Sequence, residues 1–199
     1  WVLGEHGDDS VALSERVPML ENMGLKVIAE RPYELEFPAG RRAWVQDLEL
    51  VMQSSAVNQF DALQREIKSA FTAVWTGRMD SDSFNQLTLS AGIPWRIVIV
   101  MRAYCRYLLQ TGLPFSQGYI AQVLVNNAAI TTALADLFVT RFKPDISAAA
   151  RHAALVRLDR RIRDALEEVT RSDEDRILRA VWNALSATVR TNAYQTGGD

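Results

Sequence analysis

The pattern of apolar and polar residues divides the chain near residue 54, with extended runs before that point and helical spacing after it. The run from Leu25 to Phe37 predicts an extended segment with a kink at Pro32-Tyr33. Pro38-Ala39-Gly40 is typical of a turn, so Arg42–Met52 is expected to pair back on the first run. The pattern therefore predicts a β-hairpin in this part of the chain.

A short helix is predicted ahead of the hairpin. Ser14 is a suitable N-cap, the helix is expected to end at Met23, and Gly24 is a typical left-handed stop. Trp1-Val2-Leu3 has the composition of a strand. Strand, helix, strand and strand make up most of the βαββαβ arrangement of small amino-acid-sensing domains of the ACT type. The last helix and strand of that arrangement are not evident, so either the module is incomplete or the following helices replace them.

Helical spacing dominates from Ser55 onward. Val57–Trp75 carries apolar residues three or four positions apart, and a short helix through Phe84 is expected to end at Gly92. These spacings predict that the second part of the chain is an assembly of helices.

The segment after Gly92 could be a strand or a helix. Ile97–Val100 has the composition of a buried strand, but Arg102, Arg106 and Gln110 lie at steps of four. They would share one face only on a helix. The apolar residues around them cover an arc too wide for a single contact, so we predict the central helix of a bundle.

Further helices are predicted toward the end of the chain. Ser116 is expected to cap one helix, and Asn126-Asn127 to separate it from another that Pro144 closes. Apolar residues from Leu155 to Val169 repeat at three, four, three and four, which is the spacing of a packed seam. Ser172–Asp175 predicts a capping box at the start of the last helix. The predicted fold class is mainly α: a helical bundle preceded by a small α/β segment.

Composition and charge narrow the function classes. The chain has 199 residues, with 48% hydrophobic and 23% charged, which is ordinary for a globular protein. A net charge of −2 gives no electrostatic case for nucleic acid or an anionic membrane as a partner. The single cysteine, Cys105, lies in an apolar run and is expected to be buried, as in a cytoplasmic protein. Because the chain begins at Trp1 within a plausible strand, we expect an excised fragment.

No constellation of residues predicts catalysis. His6 and His152 have no partner at metal-ligand spacing, and Gly4 and Gly7 lack the third glycine of a phosphate-binding loop. The acidic residues of one helix have arginines four positions away, in the pairs Asp159–Arg163, Arg160–Asp164 and Arg163–Glu167. These pairs predict a solvated, salt-bridged face. We therefore predict no catalytic, cofactor-binding or metal-binding residue in this chain.

Aromatic residues are dense over consecutive predicted helices. They are expected to form the bundle core, and the alternative is an exposed patch that docks on another domain of the same protein. The residues concerned are Trp75, Phe84, Trp95, Tyr104, Tyr107, Phe115 and Tyr119.

Four segments resemble one known family. They are VPMLENMGLKVIAERPYEL at Val17–Leu35, Trp44–Asp47, Phe84–Ile120, and Arg190–Gln195. Together they resemble the large-subunit class of bacterial NAD-dependent glutamate dehydrogenases, in the long region that precedes the catalytic domain. One departure is Gln46, where the family pattern has a histidine.

The resemblance implies a parent enzyme that deaminates L-glutamate to 2-oxoglutarate and ammonia with NAD and assembles as a large homo-oligomer. It implies that the catalytic lysines and dinucleotide-binding glycines lie in a downstream domain, so no cofactor is expected in this fragment. Residues 1–53 would form a partial ACT-like segment, and residues 54–199 a helical domain leading towards the catalytic domain.

Two functions follow from this sequence. The first is a regulatory or structural segment whose partners are the catalytic domain of the same chain, other subunits and a small-molecule effector. The second is an independent amino-acid-sensing or protein-interaction module that shares this architecture.

Overall fold

The computed structural model describes residues 13–38, 41–52 and 60–195. These residues form a β-hairpin with one helix ahead of it and a set of helices after it, so the predicted mainly α fold class is confirmed. The elements are α1 (Leu13–Asn22), β1 (Leu25–Phe37), β2 (Arg41–Met52), α2 (Phe60–Trp75), a 3-10 turn (Ser83–Gln86), α3 (Leu87–Ser90), α4 (Trp95–Gln110), α5 (Gln117–Asn126), α6 (Ala128–Phe142), α7 (Ala148–Glu167) and α8 (Ser172–Ala187).

The two strands form the predicted antiparallel hairpin, with Leu25 opposite Met52 and Phe37 opposite Arg41. The register is irregular between Val27 and Ala29. The predicted kink at Pro32-Tyr33 is wrong: Pro32 lies within β1, opposite Gln46. A proline is tolerated there because each strand of a two-stranded sheet is an edge strand, with backbone groups that face no partner.

Helix α1 connects the hairpin to the bundle. Leu20, Leu25 and Leu89 form a small buried cluster that joins α1, β1 and α3. Gly24 ends α1 with φ of +82°, as predicted from its freedom to adopt a left-handed conformation. Ser14 is not the N-cap, because α1 already begins at Leu13. The predicted strand Trp1-Val2-Leu3 lies outside the described residues.

The main core lies among the helices after the hairpin. Helix α4 packs against α2, α3, α5 and α8, which confirms its predicted central position. The largest fully buried side chains of this core include Phe84, Met101, Ile120, Leu134, Phe138 and Ile177. The seam predicted on α7 also packs here, with Ile162 buried and Leu155 and Leu158 partly buried.

The ends of the later helices follow the sequence signals except at the start of α8. Ser116 caps α5 by accepting a hydrogen bond from the backbone N–H of Tyr119 at 3.2 Å, as predicted. Ser172 is not an N-cap: Arg171 occupies that position, because its carbonyl accepts the first helical hydrogen bond, from Asp175 N–H. The acidic first turn is nevertheless placed where the helix dipole favours negative charge.

Two helices in the described part of the chain are strongly apolar. No single helix there combines the length and apolar character needed to cross a bilayer. Helices α5 and α6 reach the length and apolar composition of a membrane span only when the two are taken together, and they meet at a bend of 101°.

Candidate functional site

Of the residues considered for metal or phosphate binding in the sequence, only His152 lies in the described part of the chain. His152 is exposed on α7, and His6, Gly4 and Gly7 lie outside the described residues. Within residues 13–38, 41–52 and 60–195, there is no group of three or more His, Cys, Asp or Glu placed to hold a metal ion.

Cys105 lies in the core on α4, so its predicted burial is confirmed. Its side chain is 0% exposed. Burial, and after it the nearby carboxylate of Asp82, raise the pKa of the thiol to about 11, while Arg106 opposes the shift. A thiol with so high a pKa is a weak nucleophile near neutral pH, which is the behaviour of a structural cysteine.

A buried arginine beside Cys105 organises the start of the bundle. Arg102 of α4 is 2% exposed. Its Nε donates to Asp82 Oδ2 at 2.8 Å and its Nη2 to Asp82 Oδ1 at 2.8 Å, a bidentate pair. The same Nη2 also lies 2.7 Å from Asn85 Oδ1 and 3.2 Å from the carbonyl of Asp80. Charge-assisted bonds in this geometry are strong and direction-specific.

Asp82 extends this network to two further elements. Its Oδ1 accepts a hydrogen bond from the backbone N–H of Phe84 at 3.0 Å, which caps the 3-10 turn. Its Oδ2 accepts one from Gln117 Nε2 of α5 at 3.2 Å. One carboxylate therefore links α4, α5 and the segment that precedes α3. This hydrogen-bonded group was not predicted from the sequence. The one sequence signal for it is the spacing of four residues between the polar side chains of Arg102 and Arg106.

The residues after α8 return to the surface of the bundle. The hydroxyls of Tyr104 and Thr188 are 2.7 Å apart, and Arg141 Nε donates to the carbonyl of Thr188 at 3.1 Å. The ring of Tyr194 stacks on Phe138, with centroids 6.3 Å apart and planes 21° apart. Burial raises the pKa values of both tyrosine hydroxyls. Residues 188–195, which we call the return segment, are therefore held by α4 and α6.

An open cleft of about 630 Å³ lies beside the return segment. Trp95, Val100 and Phe138 are apolar residues that line the cleft, and Arg96 and Arg190 also line it. The prediction of an aromatic core holds for Phe84 at 0% and Trp95 at 9% exposure, but it is wrong for Tyr107 at 55%. Tyr107 lines this cleft and not the core, because it projects from a different face of α4 than Cys105.

The ion pairs on the charged face of α7 differ in part from those predicted from the sequence. Arg163 pairs with Asp159 at 3.0 Å, as expected. Glu167 pairs instead with Arg179 of α8 at 3.4 Å, and Arg179 also binds Asp175 at 2.7 Å. Packing of α8 beside α7 supplies a competing arginine that the spacing along α7 could not reveal.

Comparison with known sequences finds two matched domains and several relatives. Residues 5–63 match the ACT3 domain of glutamate dehydrogenase, and residues 79–144 match helical motif 3 of glutamate dehydrogenase. The chain therefore represents a class of protein segment in which an α/β part is followed by a helical motif. The chain is therefore similar to glutamate dehydrogenases of the NAD-specific type, which confirms the resemblance drawn from the sequence.

Three relatives are named NAD-specific glutamate dehydrogenase. The chain is 39% identical over 196 residues to the protein of Pseudomonas aeruginosa, with 98% of the chain aligned. It is 34% identical over 201 residues to that of Mycobacterium tuberculosis, again with 98% aligned, and 36% identical over 190 residues to that of Halomonas elongata, with 96% aligned. The chain spans 12% of the length of each relative.

Proposed function

We propose that the chain is a non-catalytic, regulatory and structural segment of an NAD-dependent glutamate dehydrogenase. The parent enzyme would convert L-glutamate, NAD and water to 2-oxoglutarate, ammonia and NADH in the cytoplasm. The observation that carries this proposal is the alignment of 98% of the chain with 12% of a protein named NAD-specific glutamate dehydrogenase.

The return segment supports a structural role. Tyr104, Phe138 and Arg141 hold it against α4 and α6, whose inner faces belong to one continuous core. Closely packed cores have low compressibility, so a displacement at one side is transmitted through them by rigid movement. In the proposed parent the catalytic domain follows this segment, so a movement of the bundle would be passed to it directly.

The hairpin supports a role in contacts with the rest of the parent enzyme. Ile28 is 52% exposed, Tyr33 49% and Phe37 45%. Large apolar side chains grouped on one small element are typical of surfaces that other protein segments cover. We propose that the partners are the catalytic domain of the same chain and other subunits of a homo-oligomer, and that nucleic acid and membranes are not partners.

The first test of this proposal is cofactor binding. We expect the 199-residue chain to show no saturable NAD binding by calorimetry and no NADH production from L-glutamate, because its sequence has no glycine-rich loop of the kind that holds a dinucleotide. The full-length protein encoded with this segment serves as the positive control and should do both. Micromolar NAD affinity in the 199-residue chain would contradict the non-catalytic assignment.

The ACT3 match over residues 5–63 favours a second candidate function, an autonomous amino-acid sensor. If the role of the chain is structural, as proposed, glutamate, aspartate or glutamine at millimolar concentration should leave its melting temperature unchanged. A ligand at 100 times its Kd would instead add about 2.7 kcal/mol, which is several degrees for a domain of this size. In ACT-type modules the ligand commonly binds where the first strand leads into the first helix, which in this sequence is Gly4–Ser10, after the predicted strand Trp1-Val2-Leu3. A shift of this size, removed by substitutions within Gly4–Ser10, would establish the sensor and exclude the purely structural role.

A further inference from the structure

A second cleft, of about 470 Å³, lies where α2, the loop after it and the start of α4 meet. We call it the basic cleft, because it is lined by Arg65, Lys68, Arg78 and Arg96. Ser69, Thr72 and Trp95 complete its lining, so no acidic side chain contributes to it. Four positive charges are thus gathered on one surface of a chain whose net charge is −2.

Trp95 fixes two of these charges in place. Its ring is 9% exposed, and the guanidinium carbons of Arg78 and Arg96 lie 5.0 Å and 4.6 Å from its centroid. Each contact is a cation–π interaction, which orients the guanidinium over the ring. Two like charges held beside one ring repel each other, and an anion bound between them would relieve that repulsion.

The arginines of the basic cleft differ from several other arginines of the described residues in having no carboxylate partner. Arg102, Arg106, Arg163 and Arg179 all pair with a carboxylate. In the part of the chain that the structure describes, Arg65, Arg78 and Arg96 form no ion pair with Asp or Glu. Lys68 takes part in an interaction of its own, so the three arginines supply the positive charge that would bind an anion.

The start of α4 adds to the positive potential. Trp95 and Arg96 are its first two residues, Pro94 caps it without a side-chain hydrogen bond, and its first turn has no acidic residue. The positive end of the helix dipole is therefore uncompensated where α4 borders the basic cleft.

We propose that the basic cleft binds a polyphosphate group, either as free inorganic anion or as the phosphate chain of a nucleotide. Its arginines approach from α2, from the loop after α2 and from α4, so the ligand must present oxygen atoms in several directions. Tetrahedral phosphates do this, whereas a carboxylate offers two coplanar oxygens. The side chains are exposed, and single ion pairs at exposed sites contribute little, so several charges on one ligand are required.

The test is calorimetric titration of the 199-residue chain with inorganic triphosphate. We expect saturable binding of one anion, which rising salt weakens. Arg78→Gln together with Arg96→Gln should weaken it by about tenfold or more, because two charge-assisted contacts are lost. The matched control is Arg157→Gln with Arg160→Gln, which removes two exposed arginines from α7 and should change affinity by less than about twofold. Arg65→Gln, which removes a cleft arginine of α2 and leaves the stacked pair Arg78 and Arg96 in place, is a second variant and should also weaken binding.

A parallel titration with a nucleoside triphosphate distinguishes the two sources of the phosphate. Equal affinity for the two ligands assigns recognition to the phosphate chain alone, and tighter binding of the nucleotide adds a contact to the nucleoside. Both results support the site. The proposal is overturned if no saturable binding is found at millimolar triphosphate, or if the α7 control weakens binding as much as the cleft variants. Thermal melting of every variant verifies that each one is folded.

Discussion

Replacing Arg102 with alanine should destabilise the fold by about 3–5 kcal/mol, because it leaves the carboxylate of Asp82 partly buried without its counter-charge. The bidentate pair at 2.8 Å would be lost together with the bond to Asn85. The free energy of unfolding can be measured by urea denaturation of the wild-type and variant chains.

Arg106→Ala is the matched control, since Arg106 is one turn further along α4. Its pair with Asp80 is also 2.8 Å long, but the two side chains are 54% and 60% exposed. Exposed pairs contribute about 0–1 kcal/mol, so this variant should unfold nearly as the wild type does. Equal losses for the two substitutions would show that burial of Arg102 is not what makes its pair important.

The second large effect is expected at Cys105. Cys105→Asp should cost several kcal/mol or prevent folding, because it places an unpaired charge in the core close to the carboxylate of Asp82. In the wild-type chain the native thiol should react with a water-soluble thiol reagent only as fast as the protein unfolds. Stoichiometric labelling of the native protein within seconds would contradict this prediction.

Cys105→Val provides the control for shape and for pH dependence. It keeps an apolar side chain and should cost less than about 1.5 kcal/mol. The pKa of the buried thiol, about 11, lies above its ordinary value of 9.0, so the unfolded chain ionises first as pH rises. Wild-type stability should therefore fall relative to that of the Val variant between about pH 9 and pH 11, and be unaffected below pH 9. A constant difference between the two proteins across this range would show that the thiol is not buried.

Local sequence patterns predicted helices and strands well where one signal, such as a turn residue or a helical spacing, was sufficient to define them. Extended runs on the two sides of a turn at Pro38 predicted the hairpin. Gly24 predicted the end of α1, and Ser116 predicted the start of α5. The helix over Ile97–Val100 was predicted from the polar step of four, against the strand propensity of its residues. Periodicity succeeds here because side chains of one helix face repeat at fixed intervals whatever lies opposite them.

Predictions about partners between elements were less successful. Glu167 was expected to pair within α7, but α8 brings Arg179 to it, and Tyr107 was placed in the core although it lines a cleft. The cluster of Arg78 and Arg96 on Trp95 joins residues that share no helix face, so no spacing along the sequence could indicate it.

By itself the sequence determined the resemblance to glutamate dehydrogenases, the mainly α fold class, the order of the described elements and the burial of Cys105. These follow from residue composition and from periods of two and 3.6 residues, which are local properties of the backbone. Only the tertiary structure decided that Arg102 and Asp82 join three elements, that the return segment is held by Tyr104, and that arginines from α2 and α4 meet at one cleft. Such contacts depend on how helices are oriented in the packed core, and that orientation is set by the fit of many side chains together.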